Sequence, residues 1–238
     1  EAQRLGYSAL AITDECTLSG VVRAHVAAKD CGLPLLIGSR FVLEEGLGFV
    51  LIARSRRGYA QLSALITLAR RGAVKGCYKL DKALMESHDL SECLGLWLPA
   101  AQAPDAREAQ WLQKQLPGRV WIAVEMRLDG RDRHRLERLQ ALGHTLDLPL
   151  VAGGAVYMHH PDRRMLRDTL TAIRLGKTLT SLGRSAAPNS EQHLRLRERL
   201  AKLYPPALLQ ATLTIAEQCH FSLDELRYEY PHELVPAE

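Results

Sequence analysis

Short apolar runs, separated by polar and helical stretches, set the pattern of this chain. Residues 9–12 are uninterrupted apolar, as a strand covered on both faces requires, and break into Thr13, Asp14 and Glu15. Ser19 is placed to cap a helix through Val21, Val22, Val26 and Ala27 to about Cys31, with Gly32 as its stop. Residues 33–37 predict a second strand, running into Gly38, Ser39, Arg40 and Phe41, and residues 49–53 a third. The interval between these two is too short for a crossover helix, so they pair antiparallel. Ser55 caps a helix with Tyr59, Leu62, Leu65, Ile66 and Ala69 on one side, ended by Arg70, Arg71 and Gly72. Residues 81–88 predict a shorter helix.

Three further strands, 94–98, 120–124 and 148–152, alternate with helices at about 105–116 and 131–146. The second of these helices buries Leu136, Leu139, Leu142 and Leu146 and turns its arginines to water. Pro161 opens another helix, whose Leu166, Leu170 and Ile173 fall at i, i+4 and i+7. Six apolar strands, mostly alternating with helices, predict an α/β barrel or a doubly wound sheet. After Gly176 the strand signal ends. Residues 181–188 are small and turn-rich. Asn189 and Gln192 form a capping-box pair opening a helix through Leu203, and Tyr204, Pro205 and Pro206 break it. Residues 207–219 form another helix, and Ser222 with Glu225 repeats the capping pattern. An α/β body thus carries a helical tail.

Composition changes this picture little. The 238 residues are 47% hydrophobic and 24% charged, as in an ordinary folded protein, and no apolar run approaches a membrane span. The start, Glu1 to Gly6, has neither an initiator Met nor a signal peptide's apolar core and reads as the end of an interrupted helix, hence as a fragment. The five cysteines are scattered and never spaced as a zinc ribbon or a redox pair, so they read as reduced cytoplasmic thiols. Of 31 basic residues 24 are arginine, with a net charge of +4. That excess suits phosphate contacts and equally a coding bias.

Asp14 and Glu15, at the carboxyl end of a buried strand, stand where α/β folds place their chemistry. They could ligate a divalent metal or act as an acid and base pair. Equally, Asp14 could cap the following loop and Glu15 could be solvated. His159 and His160 follow the strand run 151–158, where a metal site would need further ligands. The other strand ends offer Arg40, Tyr157 and Glu125, and an exposed loop explains the histidines as well. No dinucleotide fingerprint, P-loop or nucleophile elbow is present. Arg163, Arg164, Arg167, Arg174, Lys177 and Arg184 could track a phosphate backbone or form a solvated face. Tyr228 and Tyr230 could pack on a neighbouring domain or cover the tail helices.

Ala11-Ile-Thr-Asp-Glu-Cys16 and Gly20-Val-Val-Arg-Ala-His25 resemble the second motif of the PHP (polymerase and histidinol phosphatase) domain, in the form found in bacterial error-prone DNA polymerases of the DNA polymerase III alpha type. Gly38-Ser39-Arg40-Phe41 falls at the third motif. The stretches 58–67, 170–176 and 221–231 resemble the same branch, so the likeness covers nearly the whole chain in order. The resemblance implies a distorted (β/α)7 PHP-type barrel over residues 1–180, lacking its first strand, and a helical connector over 181–238 leading towards the polymerase palm. It implies damage-induced translesion synthesis for the parent enzyme, a DNA-directed DNA polymerase in the cytoplasm, with magnesium held in its palm. Partners implied are the palm and the rest of the parent chain, DNA through that parent, and other mutagenesis or replication proteins, with no membrane.

Active PHP domains hold two or three metal ions on ligands from the strand ends, and the sequence departs from that pattern. Glu15 replaces a histidine, as in the error-prone branch, Arg40 stands where a glutamate is expected, and Ala155 and Tyr157 replace an aspartate and a histidine. The resemblance thus implies a metal-free scaffold in which Arg40 pairs with Asp14 or Glu15, with no cofactor or polymerase residues of its own. A stand-alone metal-dependent phosphoesterase using Asp14, Glu15 and His159 is an alternative, as is an inert structural remnant. The missing strand implies an open apolar edge beside residues 9–12 and a chain that is poorly stable or self-associating.

Overall fold

The computed structural model describes residues 1–100 and 103–226 and holds six strands in one sheet, ordered as in the sequence. β1 (Leu10–Ile12) pairs parallel with β2 (Leu35–Val42), which pairs antiparallel with β3 (Gly48–Ala53). β3 pairs antiparallel with β4 (Cys93–Leu98), after which β5 (Val120–Glu125) and β6 (Leu150–Gly153) add in parallel. Among the described residues β1 and β6 do not pair with each other, so the α/β sheet is an open arc rather than a closed barrel.

Strict alternation along the strands gives the sheet two apolar faces. Phe41, Phe49, Leu51, Trp97, Ile122 and Val124 point to the outer face. There they meet α2 (Arg56–Arg71), α4 (Ala106–Gln115) and α5 (Asp132–Leu146) through Leu62, Leu65, Ala109, Leu112 and Leu139. α1 (Val21–Cys31) covers Ile37 through Val21. Each fully buried large side chain contributes about 1.5–3 kcal/mol, so this face supplies most of the stability. The inner face carries Leu36, Val50, Ile52, Leu94, Trp121 and Val151. α8 (Pro206–Glu217) packs Ile215 and Ala211 on it and lies against β6, so the helical tail folds back onto the body.

Most helix signals act as their chemistry dictates. Ser55 accepts from Gly58 N–H, Asp81 caps α3 (Lys82–Glu86), and Gly32 takes the left-handed conformation that ends α1. The Ser222 and Glu225 capping box closes a 3-10 turn at Leu223–Glu225. Three expectations need correction. Ser19 is not a cap: the N-cap of α1 is Gly20, where a Cβ would lie 2.6 Å from Asp14 Oδ2, so that carboxylate fills the space. The strand expected over 151–158 ends at Gly153, because Ala155 turns to φ +42°. The helix expected over 189–203 is only α7 (Arg197–Leu203). Asn189 spends its side chain on Arg127 C=O (2.9 Å) and on Glu191 N–H (3.0 Å), and Met158 bridges His193, drawing the chain extended. The expectation for Tyr228 and Tyr230 lies outside the described residues.

Two tyrosines tie the helical tail to the body. Tyr7 donates its hydroxyl to Arg195 C=O at 2.7 Å and accepts from Arg195 N–H at 3.1 Å. Buried Tyr204 donates to Gly153 C=O (2.8 Å) and accepts from the N–H of buried Met126 (3.0 Å), joining the ends of β5 and β6. Tyr204→Phe strands that buried N–H. The expected loss is about 1–3 kcal/mol in urea unfolding, and an unchanged midpoint contradicts the bridging role.

Candidate functional site

Beyond Ile12 the chain keeps to the side of β2. Arg40 N–H donates to Asp14 C=O at 3.1 Å, Cys16 N–H donates to Arg40 C=O at 2.9 Å, and the buried Ser39 hydroxyl donates to Asp14 C=O at 2.7 Å. The acidic turn is thereby clamped at the strand end. Cys16 follows at φ +48° with its side chain fully buried, and burial pushes its thiol up from the ordinary value.

Two side chains from the outer layer lock this turn. Arg70, in the last turn of α2, donates through Nε to Cys16 C=O (2.9 Å) and through Nη2 to Glu15 C=O (3.2 Å), while Nη1 reaches Gly76 and Cys77 C=O. Tyr78 donates to Glu15 Oε1 and accepts from Val42 N–H, both at 3.0 Å. Burial, reinforced by the Glu15 carboxylate, pushes the Tyr78 phenol up to about 12, so it is a neutral donor at neutral pH. Neither residue stands out in the sequence. Arg70 reads there as a cation suiting a helix C-terminus, and only the fold shows that its donors reach the loop.

Arg40 and Glu15 meet at 3.1 Å (Nη1 to Oε2), each more than a third exposed. The Asp14 carboxylate instead lies against Gly20. At the other end of the sheet Tyr157 and His159 are exposed. The Tyr157 and Met158 N–H groups donate to Gln192 C=O at 3.0 and 3.2 Å, and the Arg167 guanidinium lies 5.1 Å from the Tyr157 ring centroid. His160 caps the 3-10 turn before α6 (Arg164–Leu175).

Asp14, Glu15, Arg40, Glu125, Tyr157 and His159 all line one cleft of about 2070 Å³ over the inner face of the sheet. The structure gathers the residues singled out in the sequence around a common space, yet of these only Arg40 touches Asp14 or Glu15. Among the described residues no group of three or more His, Cys, Asp or Glu side chains is placed to hold a metal ion. Position 155 offers a methyl group, position 157 a phenol, and position 40 a guanidinium already bound to Glu15. The PHP donor set does not fit here, and no chemistry is derived through a metal.

Comparison with known proteins gives the chain's relatives. Residues 1–103 match the PHP domain family. Over 236 residues the chain is 58% identical to an error-prone DNA polymerase of Methylococcus capsulatus, covering 99% of this chain and 22% of that one. It is 52% identical to the error-prone DNA polymerase of Dechloromonas aromatica, covering 98% and 23%. The Pseudomonas aeruginosa error-prone DNA polymerase is 46% identical, with 99% and 23% covered. The chain therefore spans less than a quarter of the length of these curated relatives. A solved candidate metal-dependent phosphoesterase of Bifidobacterium adolescentis superposes with a TM-score of 0.48 at 14% identity, over 64% of this chain and 78% of that one.

The two arginines at the acidic turn carry different weights. Arg70→Ala removes charge-assisted donors from the carbonyls of exposed Glu15 and buried Cys16 and is expected to cost about 1–3 kcal/mol. Arg40→Ala removes a half-exposed ion pair and costs about 0–1 kcal/mol. Urea unfolding of both variants checks the order, and a larger loss for Arg40→Ala contradicts it.

Proposed function

We propose that this chain is the PHP-bearing portion of an error-prone DNA-directed DNA polymerase, serving as a metal-free scaffold for nucleotidyl transfer carried out elsewhere in the parent chain. The carrying observation is the 58% identity over 236 residues to a polymerase of that description. In this reading residues 1–180 form the PHP-like body and residues 181–238 the connector towards the palm, with α8 folding back onto the sheet. Palm carboxylates holding magnesium supply the chemistry of the parent, whose work is translesion synthesis in DNA repair after damage. Its partners are DNA, the rest of the parent chain and other mutagenesis or replication proteins. No helix among the described residues is long and apolar enough to cross a membrane, which is compatible with a cytoplasmic setting.

Arg40 has a defined part in this scaffold. A PHP cluster neutralises its strand-end carboxylates with divalent metal, whereas here a fixed guanidinium neutralises Glu15. The phosphoesterase reading needs three donors converging in the cleft, and Asp14, Glu15 and His159 are not so placed.

An antibody to this segment, used on source cells after DNA damage, tests the parent. The expected product is about four times the length of this chain, from the shares of its relatives that the chain covers, and after immunopurification it extends a primer across an abasic template position. A 26.5 kDa product without extension activity overturns the reading.

A further inference from the structure

The arginines that line the cleft outnumber its acids. Nine arginines and four carboxylates line it, an excess of five positive charges in a chain whose net charge is +4. Two of the carboxylates are already neutralised, Glu15 by Arg40 and Glu125 by Arg127. Three arginines have no such partner: Arg163, Arg174 and Arg197 are exposed, and among the described residues their side chains form no hydrogen bond or ion pair. Arg167 lies on the Tyr157 ring, and its Nη1, which makes no hydrogen bond, is 3.5 Å from Asp168 Oδ1, an acid that Arg164 also approaches at 3.6 Å. Arg195, also on the lining and 4% exposed, is held from within by Met126 C=O at 2.8 Å and by Glu191 Oε2 at 3.6 Å from its Nε. Like charges clustered on one wall repel one another, and a bound anion relieves that repulsion through charge-assisted hydrogen bonds.

We propose that this cleft binds single-stranded DNA directly, its backbone phosphates engaging Arg163, Arg167, Arg174 and Arg197. Arg167 lies one helical turn beyond Arg163, and Arg174 two turns further, giving rises of about 6 and about 10 Å along one wall. This is a ladder suited to successive phosphates of an extended strand. Leu166 and Leu170, both more than half exposed, fill the intervals on the same wall. With the Tyr157 ring, itself 58% exposed, they offer apolar and aromatic surface to unpaired bases. A duplex keeps its bases stacked inside and has no use for that surface. The cleft's other arginines support the structure: Arg135 pairs with Asp129 and Asp132, and Arg127 with Glu125. Of the basic run singled out in the sequence, Arg164 is spent on Ala187 C=O, and Lys177 and Arg184 are not on the lining. The inference rests on the polymerase reading only in choosing DNA among polyanions.

Fluorescence anisotropy of a labelled 20-residue oligo(dT) with the 238-residue chain, from 50 to 200 mM salt, tests it. The triple variant R163Q/R174Q/R197Q is expected to raise the Kd at least tenfold. Its log–log salt slope should be shallower by about 2, as for three lost single-strand phosphate contacts. A control with the same loss of charge, R23Q/R56Q/R71Q, lies off the cleft and is expected to keep the Kd within twofold. No binding by the unmodified chain, equal weakening by both triples, a blunt duplex binding as tightly, or polyglutamate displacing oligo(dT) at equal charge concentration each overturns the proposal. Primer extension by the natural product reads the polymerase proposal separately, so either can fail alone.

Discussion

β2 serves two neighbours in succession, and the arrangement of the cleft depends on that switch. Its first residues, Leu35 to Ile37, pair parallel with β1, and from Gly38 onward it pairs antiparallel with β3. The change of partner brings the acidic turn and the Leu51 backbone against the same residue. A Cβ at Gly38 would lie 2.5 Å from Leu51 C=O and 3.2 Å from Thr13 Cγ2, so only glycine lets the two strands close on it. With β1 only three residues long, the bonds beyond it, from Ser39 and Arg40 to Asp14, hold the strand end in register.

From that point the electrostatics follow. A strand end carrying Asp14 and Glu15 is a place where anionic charge accumulates, and a divalent ion is one remedy. Here the remedy is built into the chain: Arg40, on β2 itself, pairs with the Glu15 carboxylate, and Arg70, on α2, donates to the carbonyls of Glu15 and Cys16. Tyr78 then takes the remaining Glu15 oxygen. The consequence reaches past the turn. With Glu15 neutralised from within, the cleft is dominated by guanidinium groups and favours anions over cations.

The strands were legible in the sequence because both faces of the sheet are covered, which makes continuous apolar runs such as residues 49–53 and 120–124. The antiparallel pairing of β2 with β3 followed from the short interval between them. The extension of β2 through Ser39 and Arg40 was hidden, since polar residues in a strand signal an end unless their partners are known. Capping chemistry succeeded where it is local, as at Ser55, and failed at Asn189, whose side chain is claimed by backbone 62 residues away. Leu166, Leu170 and Ile173 keep helical spacing, yet all are exposed, because periodicity reports which face is apolar and not what covers it. Arg40 was found at the site by resemblance, and Arg70 and Tyr78 only by the fold.

The central claim is that fixed charge has replaced metal at this strand end. Metal analysis by mass spectrometry tests it most directly, on the chain purified without chelator and again after equilibration with zinc and manganese. The account predicts far less than one ion per chain in both samples. A stoichiometric ion that disappears in Asp14→Ala or His159→Ala would contradict it.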